Sequence, residues 1–222
     1  EKNRASYARL LGRIDRLSVR ERSGAMLVRE LTGREVPTVV DPVFLLDRPA
    51  WERIGDRGRR YLAVPYTLAY TADHSMLASF WRTTRIKRAK RRVAQMGSSI
   101  RPADIIDPRI KLCMAAGPET FIQLVRAADL VLTSSFHGTA LAIILERPFV
   151  SFLSRDSGRD SRITDLLADL GLEDRIYSPQ MTSDVVERTI DYKRVSRTLA
   201  TMRKHSLAFL ESALSATVLT VS

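Results

Sequence analysis

The sequence is short of the residues on which several kinds of chemistry depend. It holds one cysteine, Cys113, in 222 residues. A single thiol cannot close an internal disulfide, which suits a reducing compartment. Within IKLCMAAG, Cys113 reads as a small buried apolar residue, the usual state of a free cysteine. The three histidines, His74, His137 and His205, are scattered and leave no zinc-ligand spacing. The Gly-x-Ser-x-Gly elbow of a serine hydrolase is missing. No apolar run approaches the roughly 20 residues of a bilayer span. The opening EKNRASYARLL lacks the continuous apolar segment of a signal peptide. There is no internal repeat and no low-complexity tract, and nothing asks for a metal or a cofactor. These absences point to a cytoplasmic location.

Positive charge, by contrast, is plentiful. Lys and Arg number 36 against 25 Asp and Glu, a formal charge of +11. The expected partner is anionic: phosphate, acidic glycan, nucleic acid or a membrane surface. Charge alone does not choose among them. The densest segment, RIKRAKRR, places Arg85, Lys87, Arg88, Lys90, Arg91 and Arg92 on one predicted helix. It reads as a solvated face, with peripheral contact to anionic lipid as the livelier reading. Nucleic acid fits poorly, because no recognised motif and no run of interleaved aromatics accompanies the basic residues.

The pattern along the chain alternates strand and helix, which predicts an α/β fold with a parallel sheet and helices on both faces. A helix is expected over NRASYARLLGRIDRL, a short strand at RLSVRE, a helix at SGAMLVRELTG stopped by Gly33, and a strand at EVPTVVDP. Beginning inside an amphipathic helix suggests that a further N-terminal portion precedes Glu1. Residues 45 to 60 read as a linker. A second series follows: a strand in YLAVPYTLAY, a helix from Ser75 to Gly97, a strand near SSIRPADII, and a helix after Gly117-Pro118. The strand DLVLTSS, the helix HGTALAIILE, the strand PFVSFL, the helix SRITDLLADLG and a tail helix from about Ser183 to Leu214 complete it. Domains are expected over residues 1–48, 59–182 and 183–222.

The richest chemistry sits where DLVLTSS meets HGTALAIILE. In a parallel sheet, ligands bind beyond the carboxyl ends of the strands. The free amides and positive dipole end of the next helix favour an anion there. Ser134 and Ser135 can cap that helix or donate to a phosphate. Gly138 leaves room for close backbone approach, and Thr139 adds an amide. His137 is either an acid–base group or a plain hydrogen-bonding side chain. Elsewhere, Arg20 and Glu21 end one predicted strand and Asp41 the next. Glu21 could instead close a capping box with Ser18, and Asp41 could be a simple Asp-Pro turn. Arg155, Arg159 and Arg162 bracket a helix start, either facing an anion or neutralised by Asp156 and Asp160.

Four blocks in order, SVRE (18–21), VVDPVFLL (39–46), AADLVLTSSFHGTALAIILERPFV (127–150) and SRITDLLADLGLEDR (161–175), resemble the polysaccharide pyruvyl transferases. TSSFHGT with the later PFV is the most specific of them. The resemblance implies a two-lobed GT-B-like fold, here the C-terminal Rossmann-like lobe with a remnant of the N-terminal one. The glycine-rich strand–turn–helix that opens the family's N-terminal lobe has no counterpart in this sequence. The resemblance also implies transfer of a pyruvyl group from phosphoenolpyruvate to a saccharide acceptor, a polysaccharide or a lipid-linked saccharide, forming a ketal. It casts His137, with Glu21 or Asp41, as proton-transfer groups. Arg20, Arg162, Ser134, Ser135, Gly138 and Thr139 become the substrate-binding set. Two other readings stand beside it: a GT-B glycosyltransferase using a nucleotide-sugar, and a non-catalytic basic binding module.

Overall fold

The computed structural model describes residues 3–84, 86, 92–97, 101–153 and 160–218. The chain falls into two units, Glu1–Leu45 with Val195–Ser222, and Leu46–Arg194.

The larger unit is built on a parallel sheet. Its strands are β1 (Tyr66–Tyr70), β2 (Arg92–Met96), β3 (Ile110–Leu112), β4 (Leu130–Thr133) and β5 (Phe149–Ser151), in the order β3-β2-β1-β4-β5. Every neighbouring pair is parallel. This is the Rossmann-like order, in which the chain works outward from β1 to one side and then returns to the other. The sequence explains it: LVLT and FVS are buried throughout, as strands covered by helices on both faces must be. Around the sheet lie α3 (Arg48–Gly55), α4 (His74–Thr83), α5 (Pro102–Ile106), α6 (Pro118–Ala127), α7 (Phe136–Ile144), α8 (Ser161–Leu170) and α9 (Ser183–Glu187). Phe80, Phe152 and Tyr177 meet edge to face at 5.5–6.0 Å between ring centroids, in the core that packs on β1 and β4. The Tyr177 hydroxyl reaches Ser79 Oγ at 2.8 Å, so the ring is buried without stranding its polar end.

In the smaller unit, α1 (Arg4–Gly12) and α2 (Arg22–Thr32) precede a 3-10 turn at Pro42–Phe44. Gly33 ends α2 in the left-handed region at φ 73°, as its position at the end of SGAMLVRELTG predicts. The long C-terminal helix α10 (Tyr192–Val218) lends its later part to this unit. Ser206 Oγ accepts from Val40 N at 3.0 Å and Arg203 Nε donates to Phe44 O at 2.6 Å.

Several expectations are corrected. The helix expected through Gly97 stops at Thr83, where the Thr83 and Thr84 hydroxyls bond back to the Ser79 and Phe80 carbonyls. VAQM then enters the sheet as β2, and Arg92 opens that strand rather than riding on the helix. Arg85, Lys87, Arg88, Lys90 and Arg91 lie outside the described residues. RPADII is a short helix, because Pro102 suits a first turn and Asp104 accepts from the Arg101 amide. The expected linker contains α3, capped by Asp47 and seated on α6 with Gly55 against Ile122. The expected N-terminal helix shortens to nine residues with none buried, and its companion strands reduce to one parallel bridge, Val19 to Thr38. The tail is broken between Glu187 and Tyr192. Among the described residues no helix is long and apolar enough to cross a membrane.

Arg175 closes the larger unit beyond β5. It is 2% exposed and donates to the carbonyls of Val186 at 3.4 Å and Arg188 at 2.8 Å. Burial pulls its guanidinium pKa below the usual value, against the opposing pull of Asp174. Arg175→Ala leaves those carbonyls unanswered and a cavity behind, so a stability loss of about 2–4 kcal/mol is expected. Urea unfolding followed by circular dichroism measures it, and a loss under about 0.5 kcal/mol would show that water replaces the guanidinium freely.

Candidate functional site

Register sets the site. Tyr70, at the end of β1, lies opposite Met96 of β2 and Thr133 of β4. The carboxyl ends of these three strands are therefore level, at the point where the sheet order reverses. A cleft of about 580 Å3 opens there, lined by Tyr70, Thr71, Met96, Gly97, Cys113 and Ser134 among others. Gly97 leaves β2 at φ 144°, a conformation other residues rarely adopt. Cys113 is 1% exposed, and burial pushes its thiol up to about 11. At neutral pH it is a protonated wall of the cleft, not a nucleophile.

Ser134 and Ser135 carry the chain from β4 into α7. Ser135 is the N-cap, and its Oγ accepts from Gly138 N at 3.4 Å while its carbonyl accepts from Thr139 N at 3.0 Å. Ser134 N donates to Tyr70 O at 3.3 Å, which leaves its half-buried hydroxyl at the cleft. His137 is exposed in the first turn of α7, its ring edge-on to Phe136 at 5.5 Å. The Arg162 guanidinium, from the first turn of α8, lies 5.4 Å from the Phe136 ring centroid on its face. One aromatic ring at the head of a helix thus touches both an imidazole and a guanidinium. The arrangement offers hydroxyls, amides, a cation and a titratable ring to an anion.

Two residues have structural duties that their sequence setting did not reveal. Gly138 is buried, and a Cβ there would meet Thr133 Oγ1 at 2.4 Å. Its bareness serves the contact between α7 and β4. Thr139 is fully buried, with its hydroxyl 2.8 Å from Ser151 Oγ and 3.2 Å from the Ser135 carbonyl. Phe136 was not singled out in the sequence; an aromatic in the first turn of an otherwise all-buried helix was the available signal. Arg155, Asp156 and Arg159 lie outside the described residues.

In the smaller unit the parallel bridge between Val19 and Thr38 sets Arg20 beside Asp41. Arg20 is ion-paired to Asp41, with Glu21 Oε1 3.7 Å from its guanidinium. Asp41 also accepts from Val43 N at 3.0 Å, so it serves the Asp-Pro turn and the ion pair together. Glu21 is itself the N-cap residue of α2, without a side-chain cap bond, and no capping box forms with Ser18. Among the described residues no three His, Cys, Asp or Glu side chains gather in a way that could hold a metal ion.

Gly138→Ala forces α7 off β4. A loss of about 1–3 kcal/mol is expected from the overpacking, measured by urea unfolding, and with it a displaced His137. An unchanged midpoint would mean that Thr133 turns aside without cost.

The sequence pattern of one family, polysaccharide pyruvyl transferase, matches residues 1–157. No curated protein matches significantly. Solved structures that resemble the chain include UDP-GlcNAc 2-epimerase from Methanocaldococcus jannaschii, in complex with UDP-GlcNAc and UDP. It is 17% identical, with a TM-score of 0.47 over 78% of this chain and 51% of that one. The glycosyltransferase SnogD from Streptomyces nogalater is 15% identical, with a TM-score of 0.41 over 87% and 63%. A glycosyltransferase involved in avilamycin A biosynthesis is 14% identical, with a TM-score of 0.47 over 89% and 63%. The chain spans less than two thirds of the length of each.

Proposed function

Because the chain belongs to the polysaccharide pyruvyl transferase family, we propose that it transfers a pyruvyl group from phosphoenolpyruvate to two hydroxyls of one sugar, giving a ketal. The acceptor is a polysaccharide or a lipid-linked saccharide. The observation that carries the reading is the head of α7, where Ser134 and Ser135 line the cleft and the next residue, Phe136, contacts both His137 and Arg162.

The chemistry needs a proton on the donor's methylene carbon, which becomes the methyl group. The cationic centre so formed at the neighbouring carbon takes one sugar hydroxyl. Loss of inorganic phosphate lets the second hydroxyl close the ketal. Two hydroxyl protons are released overall: one balances that given to carbon, and the other leaves with phosphate. His137, exposed and on a first turn, is the acid that protonates carbon. Ser134 and Ser135 hydroxyls and the first-turn amides hold phosphate. Arg162 takes the donor's carboxylate, to which its planar fork is matched. Gly138 and Thr139 support this head through their packing. In the smaller unit, Arg20 is assigned to donor binding and Glu21 or Asp41 to accepting the hydroxyl proton.

His137→Ala should lower kcat by about 100-fold or more, and Arg162→Ala should mainly raise KM for phosphoenolpyruvate. Phosphate release with phosphoenolpyruvate and a saccharide acceptor measures both. Near-normal turnover in His137→Ala would remove the imidazole from the chemistry. Protection from thermal unfolding by a nucleotide diphosphate, and none by phosphoenolpyruvate, would favour the glycosyltransferase reading instead.

A further inference from the structure

The amino ends of the same strands carry a second cleft. It opens where β1 and β4 begin, about 13 Å along β1 from the site at the carboxyl ends. Its volume is about 610 Å3, slightly larger than the first. Arg59, Arg60, Tyr61, Tyr66, Arg126 and Asp129 are in its walls.

This cleft has a held shape. Gly58 lies so close to α6 that a Cβ there would meet the Glu119 carbonyl oxygen at 2.3 Å. The Arg59 amide donates to Thr120 Oγ1 at 3.1 Å. Tyr66 donates its hydroxyl to the Leu124 carbonyl at 2.8 Å. The segment before β1 is thereby fastened to α6 at both ends. The Arg59 guanidinium lies 5.1 Å from the Tyr61 ring centroid, on its face. Among the described residues neither Arg59 nor Arg60 has a carboxylate within ion-pair distance, whereas Arg126 is paired to Asp56. The two cations on the loop are left for a ligand, and a concave wall focuses their field.

We infer that this cleft binds a segment of acidic polysaccharide, in particular the chain that already carries pyruvyl ketals. The inference rests on the transferase reading. Each transfer leaves the donor's carboxylate on the polymer, so the product is more anionic than the acceptor. A basic cleft away from the reacting centre then holds modified chain while unmodified sugars reach the site at the strand ends. The concavity suits a chain-like ligand. A bilayer needs an exposed apolar face to insert, and in this wall Val64 is the one large aliphatic that is well exposed. Single-stranded nucleic acid needs successive aromatic platforms, and Tyr61 is already covered by Arg59.

The test is binding of pyruvylated xanthan by the full chain, against depyruvylated xanthan and neutral dextran at fixed ionic strength. No donor is present. The expected result is tighter binding of the pyruvylated polymer by about fivefold or more. Arg59→Ala with Arg60→Ala should lose about tenfold or more of it, while the paired Lys substitutions lose less. Arg60→Glu, at an exposed side chain, gives the same reading if the double variant melts early. Equal binding by the altered and unaltered chains would overturn the inference, as would equal binding of dextran. Stronger, Arg60-dependent retention of single-stranded DNA or of phosphatidylglycerol vesicles would also overturn it, assigning the cleft to those partners. Failure here leaves turnover of phosphoenolpyruvate intact. Failure of the transferase reading appears as no phosphate release, whatever xanthan does.

Discussion

One hydroxyl joins the parts on which the candidate site depends. Thr133, fully buried at the end of β4, donates Oγ1 to the Tyr70 carbonyl at the end of β1 and accepts from the Ser135 amide. The bare Cα of Gly138 lets α7 settle on the same side chain. A single threonine thus sews the two strands of the switch point to each other and to the helix whose head carries His137. Everything placed at that head inherits its position from this contact. A group that must deliver a proton to carbon needs placement to within a fraction of an ångström, and buried secondary structure supplies this better than a loop does.

The same economy appears in the arginines. The formal charge of +11 says that cations are in excess, but not where. In the fold many are spoken for. Arg48 is held by Glu52 and Glu146, Arg101 by Asp104, Arg109 by Asp107, and Arg20 by Asp41. Arg175 is spent on backbone carbonyls. Exposed pairs of this kind add little stability, yet each removes a cation from the field that an anionic ligand meets. Among the described residues, Arg59 and Arg60 on the loop before β1 are left without a carboxylate partner. At the head of α7 the Arg162 guanidinium lies over the face of the Phe136 ring.

The parallel sheet, the strand–helix join at Ser134 and the stop at Gly33 could be read from the sequence, because each rests on local chemistry or on an unbroken apolar run. LVLT and FVS are buried on both sides and so carry no ambiguity. β2 and β3 could not be read. VAQM follows a basic segment with helical spacing, and only the neighbouring strand, with Val93 opposite Thr67 and Ile110, makes it β. IKL is three residues at the sheet edge, too short for a period to show. The packing duties of Gly138 and Thr139 were hidden for the same reason. Both residues fit an anion cradle by type, and both are claimed by contacts with Thr133 and Ser151, which lie five and twelve residues away along the chain and adjacent only in the sheet.

Those two residues also limit what a phosphate-binding turn in this fold can be. Thr139 Oγ1 shares a hydrogen bond with Ser151 and another with the Ser135 carbonyl, so its hydroxyl cannot leave without stranding a buried group. Ser135 Oγ is drawn toward the Gly138 amide, but at 3.4 Å the bond is long. An anion arriving at the helix head competes for that amide on favourable terms, since charge-assisted bonds are shorter and stronger than neutral ones. When it does, Ser135 is released to donate to the same anion. The cap is then the adaptable element of the site, and Thr133, Gly138 and Thr139 are the fixed frame against which it turns.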